Sequence, residues 1–332
     1  MIIGLTFDLR SDYLAQGYSA EAVAEFDSPE TIEAIETVLR DLGHQPRRLG
    51  NIKDLVGRLA TGERWDLVFN IAEGLLGEAR ESQVPAVLDA YAIPYVFSGP
   101  LVLAVTLDKG LCKRVVRAAG VPTADFAVLR EPEDIARLDL DFPLFVKPVA
   151  EGTGKGITEH SLVRTRKAVH AACATIWREF RQPALAETWL PGAEVTAGII
   201  GTGQSARCAG VMEVLFSEQA PQAGYTYETK QRYEERVSYR LASPAAAAEA
   251  SACALAAWRA LGCRDGGRVD LRADATGRFQ FLEVNPLAGL HPVHSDLPIL
   301  CRLNGMDYKT LITAILDATL ERLAGIPGDN AL

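Results

Sequence analysis

The sequence has no apolar run approaching the roughly eighteen residues that a membrane-spanning helix needs, which excludes a helical membrane protein. Its start, Met1-Ile2-Ile3-Gly4-Leu5-Thr6-Phe7-Asp8, carries neither a basic lead nor a small-residue cleavage site, so no export is expected and the predicted compartment is the cytoplasm. The six cysteines, Cys112, Cys173, Cys208, Cys253, Cys263 and Cys301, include no C-x-x-C pair. That argues against a zinc site or a disulfide framework and predicts buried free thiols. Positive charge is also short: 34 Lys and Arg stand against 43 Asp and Glu, a net charge of -9. A nucleic acid or an anionic membrane surface would be repelled, so small molecules are the expected partners. No repeat of about twenty to fifty residues is visible, and the alanine tract at 243–261 is the one low-complexity patch.

What is present is size and apolar content: 332 residues at 48% hydrophobic suit two or three small α/β units. Residues 2–7 form a short β-rich apolar run, as expected of a strand buried on both faces in a parallel sheet. A helix should begin at Pro29, with Ser28 as its cap, an apolar stripe of Ile32, Ile35, Val38, Leu39 and Leu42, and Gly43 as its stop. Residues 66–70 and 93–97 read as further strands around a helix at 82–91, giving a doubly wound first unit. A helix through Lys109, Lys113 and Val116 ends at Gly120, and a boundary falls near Ala104. Beyond it, strands are expected at 142–147, 184–190, 194–200, 267–271 and 280–284, with helices at 165–180, 243–261 and 308–323.

Two segments carry chemistry. Glu151-Gly152-Thr153-Gly154-Lys155-Gly156 follows a strand ending in Lys147-Pro148, and its glycines allow backbone N–H groups to approach an anion closely. Neither the G-x-x-x-x-G-K-[ST] loop nor a helix-opening G-x-G-x-x-G can be laid on it, and a flexible hairpin is the plain alternative. Lys147 strengthens the anion reading, because a lysine ending an apolar strand is costly to bury without a counter-charge. The second segment pairs Gly267-Arg268-Val269-Asp270 with Phe281-Leu282-Glu283-Val284-Asn285-Pro286. Strand alternation places Arg268 with Asp270 on one face, and Glu283 with Asn285 on one face of the next. If the strands are antiparallel neighbours, hard oxygen donors suited to Mg²⁺ converge; a surface salt bridge of Arg268 with Asp270 or Glu283 is the plain alternative.

Together and in this order, the segments resemble the ATP-grasp superfamily and within it the D-alanine:D-alanine ligases. The resemblance covers nearly the whole chain. It also rests on Phe69-Asn70, Ser98-Gly99, Leu107-Asp108-Lys109 with Lys113, Gly120-Val121-Pro122-Thr123, Glu187-Thr188-Trp189-Leu190-Pro191-Gly192-Ala193-Glu194, Tyr227-Glu228-Thr229-Lys230, and the run 282–290 followed by His294-Ser295. It implies an α/β ATP-grasp fold: an N-terminal doubly wound (preATP-grasp) domain at 1–104, a central lobe at 105–187 and a C-terminal lobe at 188–332 enclosing ATP. By the same resemblance, Lys109, Lys147 and Lys230 would hold phosphates together with the loop residues Glu151, Gly152, Thr153 and Gly154. Glu187, Trp189 and Leu190 would line the adenine pocket and Glu194 would bind the ribose. Asp270, Glu283 and Asn285 would ligate two Mg²⁺ ions, or Mn²⁺ in their place. Arg268 and the Gly289 backbone would stabilise oxyanions, and Ser295 would hold the second amino acid's carboxylate. The implied reaction is ATP-dependent joining of a carboxylate to an amine through an acyl phosphate, in peptidoglycan synthesis, and the family implies a homodimer.

Departures from the family pattern fall on the substrate half. Glu73 stands where the family has a histidine after its F-N-x-x motif, and a carboxylate there attracts an ammonium and repels a carboxylate. The family's early ammonium-binding glutamate is replaced by a longer stretch at 8–27, which offers Glu25 or Asp27. Thr153-Gly154 replaces a serine pair, and Gln231 follows Lys230. A ligase for another amino acid or peptide in specialised metabolism is therefore an alternative. A non-catalytic ATP-binding module is a third reading, against which Arg268 beside the metal ligands speaks. His291 and His294 are read as loop packing rather than a zinc pair.

Overall fold

The computed structural model describes residues 1–217 and 237–325, and Lys230, Gln231 and the expected closing loop at 225–236 lie outside them. No helix among the described residues is long and apolar enough to cross a membrane.

Strands β1 (Ile2–Thr6), β2 (Gln45–Gly50) and β3 (Leu67–Asn70) form a parallel sheet in the order β2-β1-β3. Alternation divides β3 between two cores. Leu67 and Phe69 join Ile3 and Leu5 against Ile32, Ile35 and Leu39 of the helix Pro29–Asp41, while Val68 packs with Leu55 and Leu88 of two helices on the opposite face. Both faces are covered, as a doubly wound sheet requires. Ser28 occupies the N-cap position of Pro29–Asp41, but its hydroxyl caps nothing. The strand expected at 93–97 reduces to a single parallel bridge from Tyr95 to Val68. There Phe97 turns the chain at a φ of 76° and donates its N–H to Asp265 at 2.8 Å, so the backbone leaves the sheet to meet a distant carboxylate. Ala104 falls inside the helix Pro100–Leu107, and Asp108 caps the next helix, Lys109–Ala118, through the N–H of Leu111.

Strands β4 (Phe126–Leu129), β5 (Leu144–Pro148), β6 (Leu162–Val163) and β7 (Ala184–Thr188) form an antiparallel sheet in the order β4-β7-β5-β6. Leu144, Val146, Ala184 and Ala186 bury one face against Val169, Cys173 and Ile176 of the helix Arg166–Glu179. A period of two then puts Phe145, Lys147 and Glu187 on the other face.

The third sheet repeats this division. Strands β8 (Glu194–Ile200), β9 (Arg207–Phe216), β10 (Val237–Leu241), β11 (Gly266–Ala273) and β12 (Phe279–Asn285) are antiparallel in the order β10-β9-β8-β11-β12. Val195, Ala197, Val269 and Leu271 pack on Ala250, Ala254, Ala257 and Trp258 of the helix Pro244–Leu261, whose small residues let it lie close to the sheet. Each fully buried Val or Leu here contributes about 1.5–3 kcal/mol, which fixes the register and with it the opposite face. That face carries Glu194, Thr196, Arg268, Asp270 and Arg272. The polar faces of the second and third sheets line a common cavity.

Candidate active site

The six cysteines are free, five of them buried; burial raises Cys112, Cys173 and Cys301 to about 12 and Cys253 to about 11, so they are inert packing residues. Chemistry concentrates instead where the sheets meet.

On the second sheet, Glu187 is buried at 3% exposure between two lysines, Lys147 at 2.7 Å and Lys113 at 2.8 Å. Burial works against its charge, yet the two ammonium groups more than offset that and hold Glu187 at about 2. Burial lowers Lys113, whereas Glu187 and then Glu283 outweigh burial at Lys147 and raise it. Two cations around one carboxylate leave a unit of positive charge, and Lys147 is the lysine that lines the cavity. Lys113 is fully buried and also donates to Thr123 Oγ1 at 2.8 Å and the Phe281 carbonyl at 3.2 Å. It thereby ties the helix Lys109–Ala118 to β7 and β12 at once. Trp189 stacks on Phe145 with ring centroids 5.7 Å apart and carries the Arg272 guanidinium at 4.2 Å. With Leu190 these rings make a flat apolar slot of the kind a planar base fits. Glu194 meets Arg272 at 3.0 Å, but burial dominates and raises its pKa to about 7.

On the third sheet, β11 and β12 are antiparallel neighbours with Arg268 opposite Asn285 and Asp270 opposite Glu283, as the alternation predicted. Asp270 is paired with Arg268, accepts from Thr196 Oγ1 at 2.8 Å and from Asn285 Nδ2 at 3.3 Å, and is raised by burial against the pull of Arg268. The expected Arg268–Asp270 pair exists, but both side chains are nearly buried and face the cavity, so it is no surface bridge. Glu283 meets Lys109 at 3.3 Å, and Lys109 also donates to the Glu151 carbonyl at 2.5 Å. Two carboxylates held side by side across a register pair, with an amide oxygen beside them, fit a hard divalent cation. Among the described residues, no group of three His, Cys, Asp or Glu side chains is arranged as a metal cage on its own, so nucleotide oxygens and water would have to complete the shell.

The loop after β5 is pinned. Lys155 bridges Glu151 at 2.7 Å and Glu25 at 3.1 Å, Arg80 meets Glu25 at 3.1 Å, and Gln182 donates to Glu151 at 2.8 Å. Gly152 lies so close to Glu25 that a Cβ there would collide with the carboxylate, and Gly154 takes a φ of 70° open to glycine. Glu25 is thus neutralised by two cations that overcome its burial and lower its pKa. Next to this loop lies a larger cavity of about 720 Å³, lined by Glu73, Asn285, Gly289 and Ser295. A Cβ on Gly289 would stand 2.8 Å from Ser295 Oγ, which accepts from the His291 N–H at 2.9 Å. His291 Nδ1 accepts from the N–H groups of Val293 and His294 at 3.2 Å, as expected of loop packing. Lys109, Glu151, Gly152, Thr153, Arg268, Glu283 and Asp296 line both cavities and form the wall between them.

Every expected site residue among those described therefore reaches one of the two cavities, and Lys230 lies outside the described residues. Lys113 and Lys155 were quoted within motifs but given no role, and Arg80, Thr196, Arg272 and Asp296 were not singled out. Arg272 and Thr196 could have been, since alternation puts Arg272 on the face of Arg268 and Asp270, and Thr196 on that of Glu194.

Comparison with known proteins agrees with this geometry. The family model described as D-ala D-ala ligase C-terminus matches residues 115–317. A D-alanine–D-alanine ligase of Dechloromonas aromatica is 36% identical over 261 residues, 76% of this chain and 80% of the relative. A D-alanine–D-alanine ligase of Gluconobacter oxydans is 34% identical over 315 residues, 93% of this chain and 98% of the relative. Among solved structures, the D-alanine–D-alanine ligase from Bacillus anthracis complexed with ATP superposes with a TM-score of 0.71 at 21% identity, covering 97% of this chain and 98% of that one. The fold is accordingly the ATP-grasp fold expected from the sequence.

Proposed function

The chain belongs to the D-alanine–D-alanine ligase family, and from that premise we propose that it is an ATP-dependent carboxylate–amine ligase that joins two amino acids, ADP and phosphate being the other products. The observation that carries the reading is the shared wall: Lys109, Arg268 and Glu283 stand between a cavity with an aromatic, base-shaped slot and a second cavity large enough for amino acids. A phosphoryl group crossing that wall passes between cations and a carboxylate pair.

A carboxylate resists attack by an amine because it is anionic and has no good leaving group. Asp270, Glu283 and Asn285 would hold Mg²⁺ beside ATP, and the bound nucleotide would supply the phosphoryl group that turns one carboxylate into an acyl phosphate. Lys147 and Lys109 would hold the phosphates, with Lys230 joining them, and the backbone of the loop 151–154 would cover them. The slot of Trp189 and Leu190 beside Glu187 would seat the base, and Glu194 would accept from the ribose hydroxyls. Arg268 and the Gly289 N–H would stabilise the oxyanion formed when the amine adds, and Ser295 would hold the carboxylate of the second amino acid. A closed loop would keep water from the activated carboxyl. The assay is incubation with ATP, Mg²⁺ and pools of D- and L-amino acids, following phosphate release and product mass. Phosphate with D-alanine supports the activity named for the relatives, and phosphate with another amino acid supports a changed substrate. No phosphate from any pool would overturn the reading.

The changed substrate is the second reading, and Glu73 favours it, because it lines the larger cavity and burial raises its pKa well above the usual range. Peptidoglycan synthesis, a cytoplasmic location and a homodimer follow for this chain only by analogy with the family.

A further inference from the structure

The larger cavity holds more carboxylate than one amino acid's ammonium can answer. Glu25 is paired with Arg80 and Lys155, Glu151 with Lys155, Glu283 with Lys109, and Asp296 lies 3.8 Å from Arg268. Asp27, Glu73 and Glu81 line the same cavity, and none of them makes an ion pair among the described residues. Arg10 lines it too and pairs with none of the three. Their mutual proximity shows in their titration. Burial first, then neighbouring carboxylates, push Glu73 far up and Asp27 to about 8, and burial raises Glu81 to about 7 against the pull of Arg80.

The cavity, at about 720 Å³, also leaves most of its volume unfilled around a methyl side chain.

We propose that the amino acid bound against Asp27, Glu73 and Glu81 carries a second cation on its side chain, an ammonium or a guanidinium, in addition to its α-ammonium. The inference rests on the ligase reading and deepens it. Glu25, already neutralised, is then not the ammonium receptor. Glu73 and Glu81 are specificity-determining residues: they attract the side-chain cation, and burial in a closed site makes that attraction stronger than it would be in water. A neutral side chain leaves them with no cation in direct contact.

The test measures phosphate release with MgATP and D-alanine as co-substrate, offering alanine, serine, 2,3-diaminopropionate, ornithine, lysine and arginine in both enantiomers. At least one dicationic amino acid should exceed alanine of the same hand by about tenfold or more in kcat/KM, and Glu73→Gln and Glu81→Gln should each shrink that ratio by about tenfold. Thermal-shift ordering of the same amino acids on the wild-type protein gives a second measurement that does not depend on either variant folding. If alanine or serine matches or exceeds every dicationic amino acid, this inference is overturned while the ligase reading stands. If no amino acid releases phosphate, both fall.

Discussion

Removing the carboxylate of Glu187 should destabilise the whole protein far more than removing either of its lysines. Lys113 is fully exposed to protein and not to water, Lys147 is nearly so, and Glu187 is the carboxylate that meets both, at 2.8 and 2.7 Å. In Glu187→Gln, two buried ammonium groups lose the carboxylate that contacts both, and stranding a buried charge costs about 3–5 kcal/mol. Titration gives an independent figure. Glu187 is held at about 2 against an ordinary 4.5, a difference worth about 3 kcal/mol at neutral pH. Because the folded pKa is depressed, this stabilisation is complete above about pH 4.5 and is lost as pH falls toward 2. Lys147→Met leaves a neutral Lys113–Glu187 pair and should cost clearly less. Urea unfolding at pH 7 and again at pH 4 measures both quantities. A Glu187→Gln loss of about 3 kcal/mol or more at pH 7, smaller at pH 4, is expected. A loss under about 1 kcal/mol, or one no larger than that of Lys147→Met, would refute the argument from buried charge.

The remaining predictions concern the site and its frame. Glu283→Gln should abolish phosphate release with an unchanged circular-dichroism melting curve; undiminished activity would remove the proposed metal site. Trp189→Ala takes away the ring that stacks on Phe145 and carries Arg272, and should raise KM for ATP about tenfold with a smaller change in kcat, which steady-state kinetics will separate. Asp265 is fully buried, accepts from Arg322 at 2.7 Å and from the Phe97 N–H at 2.8 Å, and so ties the segment after β3 and the C-terminal helix to the start of β11. Asp265→Ala should therefore cost about 3–5 kcal/mol in denaturant unfolding, since it strands a buried guanidinium.

How far the sequence revealed the molecule depends on whether a feature is set locally. Period-two alternation was enough to put Arg268, Asp270, Glu283 and Asn285 on one surface, and it holds residue by residue in the β11–β12 register. The helix from Pro29 and the strands β1, β8 and β11 were equally legible, since their apolar patterns match the faces they bury. Strand β2 was not: it is an edge strand reading Gln-Pro-Arg-Arg-Leu-Gly, mostly solvated, with no apolar alternation to mark it. Residues 93–97 misled in the other direction. They are apolar because they are buried, but Phe97 turns out of the sheet toward Asp265, a partner 168 positions away. Lys113 belonged to the family pattern, yet its role in the site was not legible. A helical lysine defaults to solvent, and nothing near it in the chain announces that Glu187 and Phe281 close over it. The pairing of Glu25 with Lys155 and Arg80 was hidden for the same reason, and it changes the reading of Glu25 from a substrate contact to a clamp on the phosphate-loop segment.

The account depends on phosphoryl transfer to a carboxylate at the wall between the two cavities. Supplying ¹⁸O in the carboxyl group of the amino acid whose carboxyl enters the amide bond, then analysing the released phosphate by mass spectrometry, tests this directly. One ¹⁸O atom per phosphate is predicted, carried over when the amine displaces the phosphoryl-bearing oxygen. Unlabelled phosphate released in step with dipeptide formation would contradict it.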